Sequence, residues 1–190
     1  MLELCPQAQK ILVGKRCGKL STAQHFISKR LVDAAKHFEV VVRLKGGDPM
    51  IFGRADEEIT ALKKHQIPFE VVPGITSALA AAASLENSLT LRGVARSVAF
   101  VTLAKAQEES HDEVKESIAA PLADTMVYYM GKKDTARIAN DLLRAGKSLS
   151  TPAAIIESIS TVNERIFRTT LKELANQAAN AWLSEDAPAI

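Results

Sequence analysis

Residues 40–54 combine the residue types that bind small molecules through the polypeptide backbone, and their centre is Gly46-Gly47-Asp48-Pro49. Paired glycines allow positive φ angles and leave backbone N–H groups open to a ligand, because no Cβ covers them. Asp48 adds a carboxylate, and Pro49 stops the preceding β-branched run from continuing as a strand. A bare Gly-Gly-Asp would indicate an ordinary turn. The whole stretch instead predicts a ligand-binding loop at the carboxyl end of a buried strand.

Cationic side chains follow other predicted strand ends. Lys15 and Arg16 come directly after Gly14, and Arg54 comes directly after Gly53. Open α/β sheets bind their ligands at strand ends, and arginine can hold a carboxylate through two parallel hydrogen bonds. These positions therefore predict binding of an anionic, carboxylate-bearing substrate. An ordinary solvated surface role is the open alternative.

The sequence lacks the residue patterns that several other kinds of chemistry require. Cys5 and Cys17 are too few for a disulfide framework or a metal site, and we predict no metal. The sequence has no Ser-His or Cys-His arrangement for nucleophilic catalysis. It also has no phosphate loop and no Gly-x-Gly-x-x-Gly. The four histidines are not spaced as ligands: His25, His37, His65 and His111.

Composition bounds the class of protein further. The chain has 190 residues, 47% hydrophobic and 24% charged, with a net charge of +2. This charge is too small to predict attraction to nucleic acid or to a membrane surface. No apolar run reaches transmembrane length, and the N-terminus does not resemble a secretory leader. We expect a cytoplasmic protein.

Strand and helix patterns alternate along the chain. Predicted strands cover residues 11–13, a run from Val40, and residues 68–72, 97–102, 125–130, 153–157 and 165–169. Predicted helices cover residues 21–38, 56–62, 76–83, 112–120, 134–146 and 171–182. Residues 187–190 are typical of the beginning of another strand. The alternation predicts an α/β fold in two halves, a domain of residues 1–92 and a domain of residues 97–190.

Several motifs resemble those of the tetrapyrrole methylase family. The motifs lie in residues 42–54 and 71–78, and shorter ones in residues 13–18 and 129–131. Within that family they are most similar to the enzymes that methylate uroporphyrinogen III. The close match of residues 44–54 disfavours a sister methylase that acts on another precorrin or on RNA.

The resemblance implies a fold, a cofactor and a reaction. It implies two α/β domains of the tetrapyrrole methylase type with the active site in the cleft between them. The cofactor would be S-adenosyl-L-methionine, and the assembly a homodimer. The reaction would be C-methylation of two ring carbons of uroporphyrinogen III, giving precorrin-2 for sirohaem and cobalamin biosynthesis.

The resemblance also assigns roles to residues. Lys15 would be a proton donor, and Arg16 and Arg54 suit the carboxylates of the substrate. The residues implied to bind the cofactor are Gly46, Gly47, Asp48, Ile51, Thr76, Ser77, Met130 and Ile159. A sulfonium cofactor needs open backbone groups and an apolar bed for its adenine, which the glycine loop, Ile51 and Met130 supply.

Some family motifs are altered or missing. Members open with a Gly-rich cofactor loop and an Asp-Arg-Leu-Val segment, and we expect this chain to begin after both and to end before the last strand. Ile159 stands where the family has a glycine. We therefore expect the chain to bind S-adenosyl-L-methionine more weakly than micromolar. The alternative function is a non-catalytic, truncated remnant that folds and dimerises but binds cofactor poorly.

Overall fold

Helices and strands are distributed unevenly along the chain. The structure, a computed structural model, describes residues 2–13, 24–103 and 122–190. The Cα positions divide into an N-terminal unit, Met1–Gly74, and a C-terminal unit, Ile75–Ile190. In chain order the elements are α1 (Gln24–Ala35), α2 (Ala55–Lys64), α3 (Ser77–Ser84), β1 (Val98–Thr102), β2 (Thr125–Tyr129), α4 (Thr135–Arg144), β3 (Pro152–Glu157), β4 (Arg165–Thr170) and α5 (Leu171–Ala175).

The N-terminal unit is organised by α1 packing against α2. Ile27 and Val32 of α1 are buried together with Gln24 and Ser28, and the four residues define one helical face. Leu62 of α2 is buried as well. Three acidic residues occupy the first turn of α2 and two lysines its last turn, which matches the helix dipole. The interface also buries a carboxylate, Glu58, so this small core contains a charge as well as apolar contacts.

In the C-terminal unit, β1 and β2 form a parallel pair that runs from Val98 opposite Thr125 to Thr102 opposite Tyr129. β3 and β4 form an antiparallel pair that runs from Pro152 opposite Thr170 to Glu157 opposite Arg165. The β-branched and aromatic composition of these strands suits a pleated, half-buried surface.

The last residues of the chain lie along β3. Ile156 and Ile190 exchange two backbone hydrogen bonds, of 2.9 and 3.0 Å. The N–H of Ser158 donates to the carbonyl of Pro188, and Glu157 pairs antiparallel with Ala189. The strand-like pattern predicted for residues 187–190 is confirmed for residues 188–190, which add to the edge of β3.

The core of the C-terminal unit lies between α4, α5 and β3. Ile138, Leu142, Ile155, Leu171 and Leu174 are buried there in one cluster. A capping box starts α5, because the Thr170 hydroxyl accepts from the Glu173 N–H while the Glu173 carboxylate accepts from the Thr170 N–H. The core thus fixes α4 and α5 against the strand pair that carries residues 188–190.

Three predicted strands are not formed. Residues 11–13, the run from Val40, and residues 68–72 lie outside any helix or strand. Val40 and Val42 are each 77% exposed, so the run is not buried on both faces as predicted. The physical reason is that a strand requires a partner for its backbone hydrogen bonds. No strand within the described part of the N-terminal unit supplies one.

The other element predictions differ less from the structure. The predicted strands at 97–102, 125–130, 153–157 and 165–169 correspond to β1 to β4. The predicted helix at 171–182 is shorter, since α5 ends at Ala175. The helix predicted at 112–120 and the start of the helix predicted from Ser21 lie outside the described residues. The domain boundary predicted between residues 92 and 97 stays a prediction.

Candidate functional site

The glycine loop, residues 46–53, is organised by the carboxylate of Asp48. One carboxylate oxygen accepts the N–H of Met50 at 2.8 Å, and the other accepts the N–H of Gly74 at 2.9 Å. The first bond shapes the loop, because an Asp side chain that accepts from the second following residue forms an Asx-turn. The second bond joins the loop to the Pro73-Gly74 turn. Both oxygens of the Asp48 carboxylate therefore stabilise the conformation of the loop.

The two turns touch through glycine backbones. A Cβ on Gly74 would collide with the carbonyl oxygen of Gly47 and lie 3.1 Å from its carbonyl carbon. Gly46 is different, since nothing lies within 4 Å of the position that its Cβ would occupy. The glycines thus have two roles. Gly74 permits close packing, and Gly46 leaves open space beside the backbone.

The loop contains an unusual number of left-handed residues. Gly47 has a φ of 73°, while Phe52 and Arg54 have φ values of 50° and 52°. The left-handed region costs a residue with a side chain about 1–2 kcal/mol, so Phe52 and Arg54 are strained. Arg54 stands at the N-cap of α2 and pairs with Glu57 through hydrogen bonds of 2.6 and 2.9 Å.

A buried ion pair connects the start of the glycine loop to α2. The Lys45 ammonium lies 2.8 Å from a carboxylate oxygen of Glu58 and donates to the carbonyl of Gly53. No role for either residue was predicted from the sequence. A signal was available, because Ala55, Glu58 and Leu62 share one face of α2, and an acid on a buried face needs a partner.

In the C-terminal unit, Thr76 is buried and its hydroxyl lies 2.6 Å from the hydroxyl of Tyr129. The Tyr129 hydroxyl also accepts the N–H of Ala78 at 3.2 Å. The structure places Thr76 at the N-cap without a capping hydrogen bond from its side chain. Tyr129 takes that role from β2, and Thr76, Ser77 and the end of β2 are thereby brought together.

Met130 follows β2 with a φ of 57°, and its side chain is exposed. An exposed thioether held in a strained backbone conformation is the kind of outlier that clusters at ligand sites. Gly131 follows it and is buried, with a hypothetical Cβ only 2.8 Å from Cδ1 of Ile138. Close packing of Gly131 against α4 therefore fixes the position from which Met130 projects.

Ile159 lies in a tight turn after β3. Its neighbours Ser158 and Ser160 have φ values of 51° and 59°, and Ile159 itself is half-buried. The described contacts do not place it against Thr76, Ser77 or Met130. Its predicted role in cofactor binding stays a prediction.

Glu157 immediately precedes that turn and has a fully buried carboxylate. It accepts hydrogen bonds of 2.9 Å from both the N–H and the hydroxyl of Ser184, and it pairs with Lys132 at 3.3 Å and Arg165 at 3.4 Å. Burial raises the pKa of Glu157, but the hydrogen bonds from Ser184 and Lys132 outweigh burial and hold the pKa below its ordinary value of 4.5.

Other predictions have different outcomes. Lys15 and Arg16 lie outside the described residues, so their roles stay predictions. Within residues 2–13, 24–103 and 122–190, no group of three or more His, Cys, Asp or Glu side chains is arranged to hold a metal ion. None of the helices in the described ranges combines the length and apolarity that a membrane crossing requires.

The elements and loops define a mixed helix and strand protein with a glycine-rich loop in one unit and a strained methionine at a strand end in the other. Residues 1–175 match the family described as Tetrapyrrole (Corrin/Porphyrin) Methylases. This chain belongs to the tetrapyrrole methylase family. The resemblance inferred from its motifs is confirmed.

Individual relatives agree with this assignment. The chain is 46% identical over 180 residues to a siroheme synthase of Pseudomonas fluorescens (strain Pf0-1), covering 94% of this chain and 38% of that protein. It is 44% identical over 172 residues to a uroporphyrinogen-III C-methyltransferase of Methanocaldococcus jannaschii, covering 90% of this chain and 70% of that protein. The chain therefore spans well under half the length of the siroheme synthases that it matches.

A solved structure has the same fold. The uroporphyrin-III C-methyl transferase of Thermus thermophilus, complexed with S-adenyl homocysteine, superposes with a TM-score of 0.77 at 35% identity. The match covers 99% of this chain and 78% of that one. The mixed helix and strand fold class is thus confirmed.

Proposed function

We propose that this chain performs S-adenosyl-L-methionine-dependent C-methylation of uroporphyrinogen III to precorrin-2, in sirohaem and cobalamin biosynthesis. The observation that carries the proposal is the match to a uroporphyrinogen-III C-methyltransferase over 90% of this chain and 70% of that protein. The division into domains of residues 1–92 and 97–190, with the active site between them, is part of the proposal.

The described residues fit this cofactor. Gly46 leaves open space beside its backbone, so a ligand can approach its peptide groups closely. Ile51 is half-buried on the same loop, and Met130 exposes its thioether after β2. We propose that these residues bind the cofactor together with Gly47, Thr76, Ser77 and Ile159. Asp48 contributes by shaping the loop.

The cofactor supplies an electrophilic methyl group when it is bound. Pyrrole carbons are electron-rich, so the protein's task is alignment of the two reactants and proton transfer. Lys15 is the proposed proton donor. The arginines Arg16 and Arg54 are proposed to hold substrate carboxylates. Because Arg54 already pairs with Glu57, a substrate carboxylate bound there would share or replace that partner.

The test is titration of the whole chain with S-adenosylhomocysteine by calorimetry, together with an assay of precorrin-2 formation at saturating cofactor. We expect saturable binding that is weaker than micromolar, and measurable product. Gly46→Leu should abolish both, because its side chain fills the open space, and Gly46→Ala should reduce them less. Gly46→Ala should not lower the melting temperature, since nothing lies within 4 Å of that Cβ position. The melting temperature of Gly46→Leu is measured as well, so that loss of binding can be separated from loss of folding.

Absence of both binding and product would refute the proposal and favour the non-catalytic remnant. Binding that survives Gly46→Leu would refute the assignment of the site to the glycine loop. The proposed homodimer is tested separately by sedimentation equilibrium of the same chain. A single monomeric species at all concentrations would contradict it.

A further inference from the structure

The two ends of the glycine loop are tied together by a single side chain. Lys45 immediately precedes the loop, and its ammonium donates to the carbonyl of Gly53, the last loop residue. The Lys45 side chain is only 11% exposed. A buried ammonium requires hydrogen-bond acceptors and an opposite charge. The Gly53 carbonyl supplies one acceptor, and Glu58 supplies the charge.

Glu58 holds Lys45 in this position. Its carboxylate is 6% exposed and uses both oxygens, one for Lys45 at 2.8 Å and the other for Arg43 at 3.1 Å and Gln24 at 3.0 Å. These donors come from α1 and from the segment before the loop. The carboxylate is therefore fixed by three partners, and it restrains the ammonium that closes the loop.

The restraint acts where the loop backbone is most strained. Phe52 and Arg54 flank Gly53 and are both left-handed. Gly53 itself has no room for a side chain, since a Cβ would lie 2.6 Å from the carbonyl oxygen of Pro49. Strained conformations persist only where surrounding contacts over-determine them. The Lys45 ammonium supplies such a contact at the centre of this strained segment.

Exposed ion pairs nearby do not have this arrangement. Arg54 and Glu57 pair across one turn of α2, and both side chains are about half exposed. Such a pair contributes little to stability. The Lys45–Glu58 pair differs because it is buried and its ammonium also donates to a loop carbonyl.

We propose that Lys45 and Glu58 are a positioning pair that holds the glycine loop in its ligand-binding conformation. Neither residue needs to touch the ligand. Ordering a loop during binding costs free energy, and a loop held in place beforehand avoids that cost. The effect on ligand affinity rests on the proposed function, whereas the effect on the loop does not.

The test compares Lys45→Met with Arg43→Gln in the full chain. Lys45→Met keeps an unbranched apolar stem but removes the ammonium. Arg43→Gln removes an ion pair to the same Glu58 carboxylate without removing the contact to Gly53, so it is the matched control. Lys45→Arg is the conservative variant. The measurements are amide hydrogen exchange of residues 46–53, affinity for S-adenosylhomocysteine, and melting temperature.

We expect Lys45→Met to accelerate exchange of the Met50 and Ile51 amides and to weaken S-adenosylhomocysteine binding about tenfold, the loss typical of one charged hydrogen bond. Arg43→Gln should lower the melting temperature but leave loop exchange and affinity near those of the parent chain. Lys45→Arg should restore most of the protection, because it retains a cation at that position.

Unchanged loop exchange in Lys45→Met would overturn the proposal, as would equal effects of Arg43→Gln on exchange and affinity. A parent chain that binds no S-adenosylhomocysteine, while Lys45→Met still releases the loop, would refute the proposed function and leave the positioning pair supported. The two failures are therefore distinguishable.

Discussion

At the scale of single residues, the glycines of the site differ in what their missing side chains permit. Gly46 faces open space, while Gly74 packs against the backbone of Gly47. Substitution of each by alanine adds the same methyl group to two opposite environments. Any difference between the two variants therefore reports the contact between the loops and not helix or strand propensity.

We predict that Gly74→Ala destabilises the N-terminal unit by about 1–3 kcal/mol, the usual cost of overpacking, because the collision is with backbone that cannot rotate away. The hydrogen bond from the Gly74 N–H to Asp48 should weaken as the turns separate. Urea denaturation measures the loss, with Gly46→Ala as the control. Equal stability of the two alanine variants would contradict the observed contact.

The sequence predicted the glycine loop but not the residues that hold it. Gly46, Gly47 and Asp48 are recognisable because their types are unusual together. The contact between Gly47 and Gly74 joins residues that are distant in sequence. The pairing of Lys45 with Glu58 likewise depends on where α2 lies. The local pattern can show that Glu58 needs a partner, but it cannot identify that partner as Lys45.

At the scale of elements, the helix ends are set largely by left-handed residues other than glycine. α2, α3 and α5 are followed by Gln66, Glu86 and Gln177 with φ values of 57°, 54° and 62°. In each case the next N–H reaches back to the last turn of the helix, as in a Schellman motif. Among the helices in the described part of the chain, α4 alone is followed by a glycine in this position, Gly146 with a φ of 98°.

These ends explain which boundaries the sequence predicted. Gly146 is a visible stop signal, and the predicted end of that helix is near the observed end of α4. Gln177 carries no such signal, so the predicted helix at 171–182 continued past the real end of α5. The strands of the C-terminal unit were predicted closely because partner strands exist for them. The predicted strands that the described part of the N-terminal unit does not form show that an apolar pattern does not produce a strand without a partner strand for its backbone hydrogen bonds.

The start of α3 gives the prediction at this scale. Tyr129→Phe removes the hydroxyl that accepts the Ala78 N–H and pairs with Thr76, while the ring packing against Phe100 is retained. We expect a loss of about 1–2 kcal/mol, similar to the loss of a helix cap. Thermal denaturation of the chain measures this loss.

Tyr128→Phe is the matched control for this prediction. Tyr128 is the preceding residue of β2 and is also half-buried, and within the described part of the chain its hydroxyl makes no hydrogen bond. We expect Tyr128→Phe to have little effect on stability. Equal losses in the two variants would indicate that the Tyr129 hydroxyl does not cap α3.

At the scale of the whole molecule, the C-terminal unit is closed by the Glu157 network. The carboxylate lies on β3, and its partners come from Lys132, Arg165 on β4, and Ser184. Arg165 also donates to the carbonyl of Trp182 and stacks over its ring at 4.5 Å. One buried charge therefore connects three separate segments of the chain.

We predict that Glu157 makes the stability of the C-terminal unit depend on pH. Its pKa is below 4.5 in the folded chain, so in acid the unfolded chain binds a proton more readily than the folded chain does. The stabilisation is therefore fully present above pH 4.5 and is lost as the pH falls through the folded pKa. Urea denaturation between pH 3 and pH 7 measures this slope.

Glu157→Gln should flatten that slope and lower stability at neutral pH by about 1–3 kcal/mol, since it removes the charge that Lys132 and Arg165 face. Glu185→Gln, at an exposed carboxylate one residue after Ser184, is the control. An unchanged slope in Glu157→Gln would show that other groups determine the acid sensitivity.

The pairing of residues 188–190 with β3 has a consequence for synthesis of the chain. Chains made on the ribosome fold in order from the N-terminus, unit by unit. The N-terminal unit has every contact described for its glycine loop once Gly74 has emerged. The buried carboxylate of Glu157, in contrast, gains its hydrogen bonds from Ser184 only when that residue has emerged. The edge of β3 is paired only when Ile190 has emerged. The C-terminal unit therefore completes the pairing along β3 only after Ile190 has emerged from the ribosome.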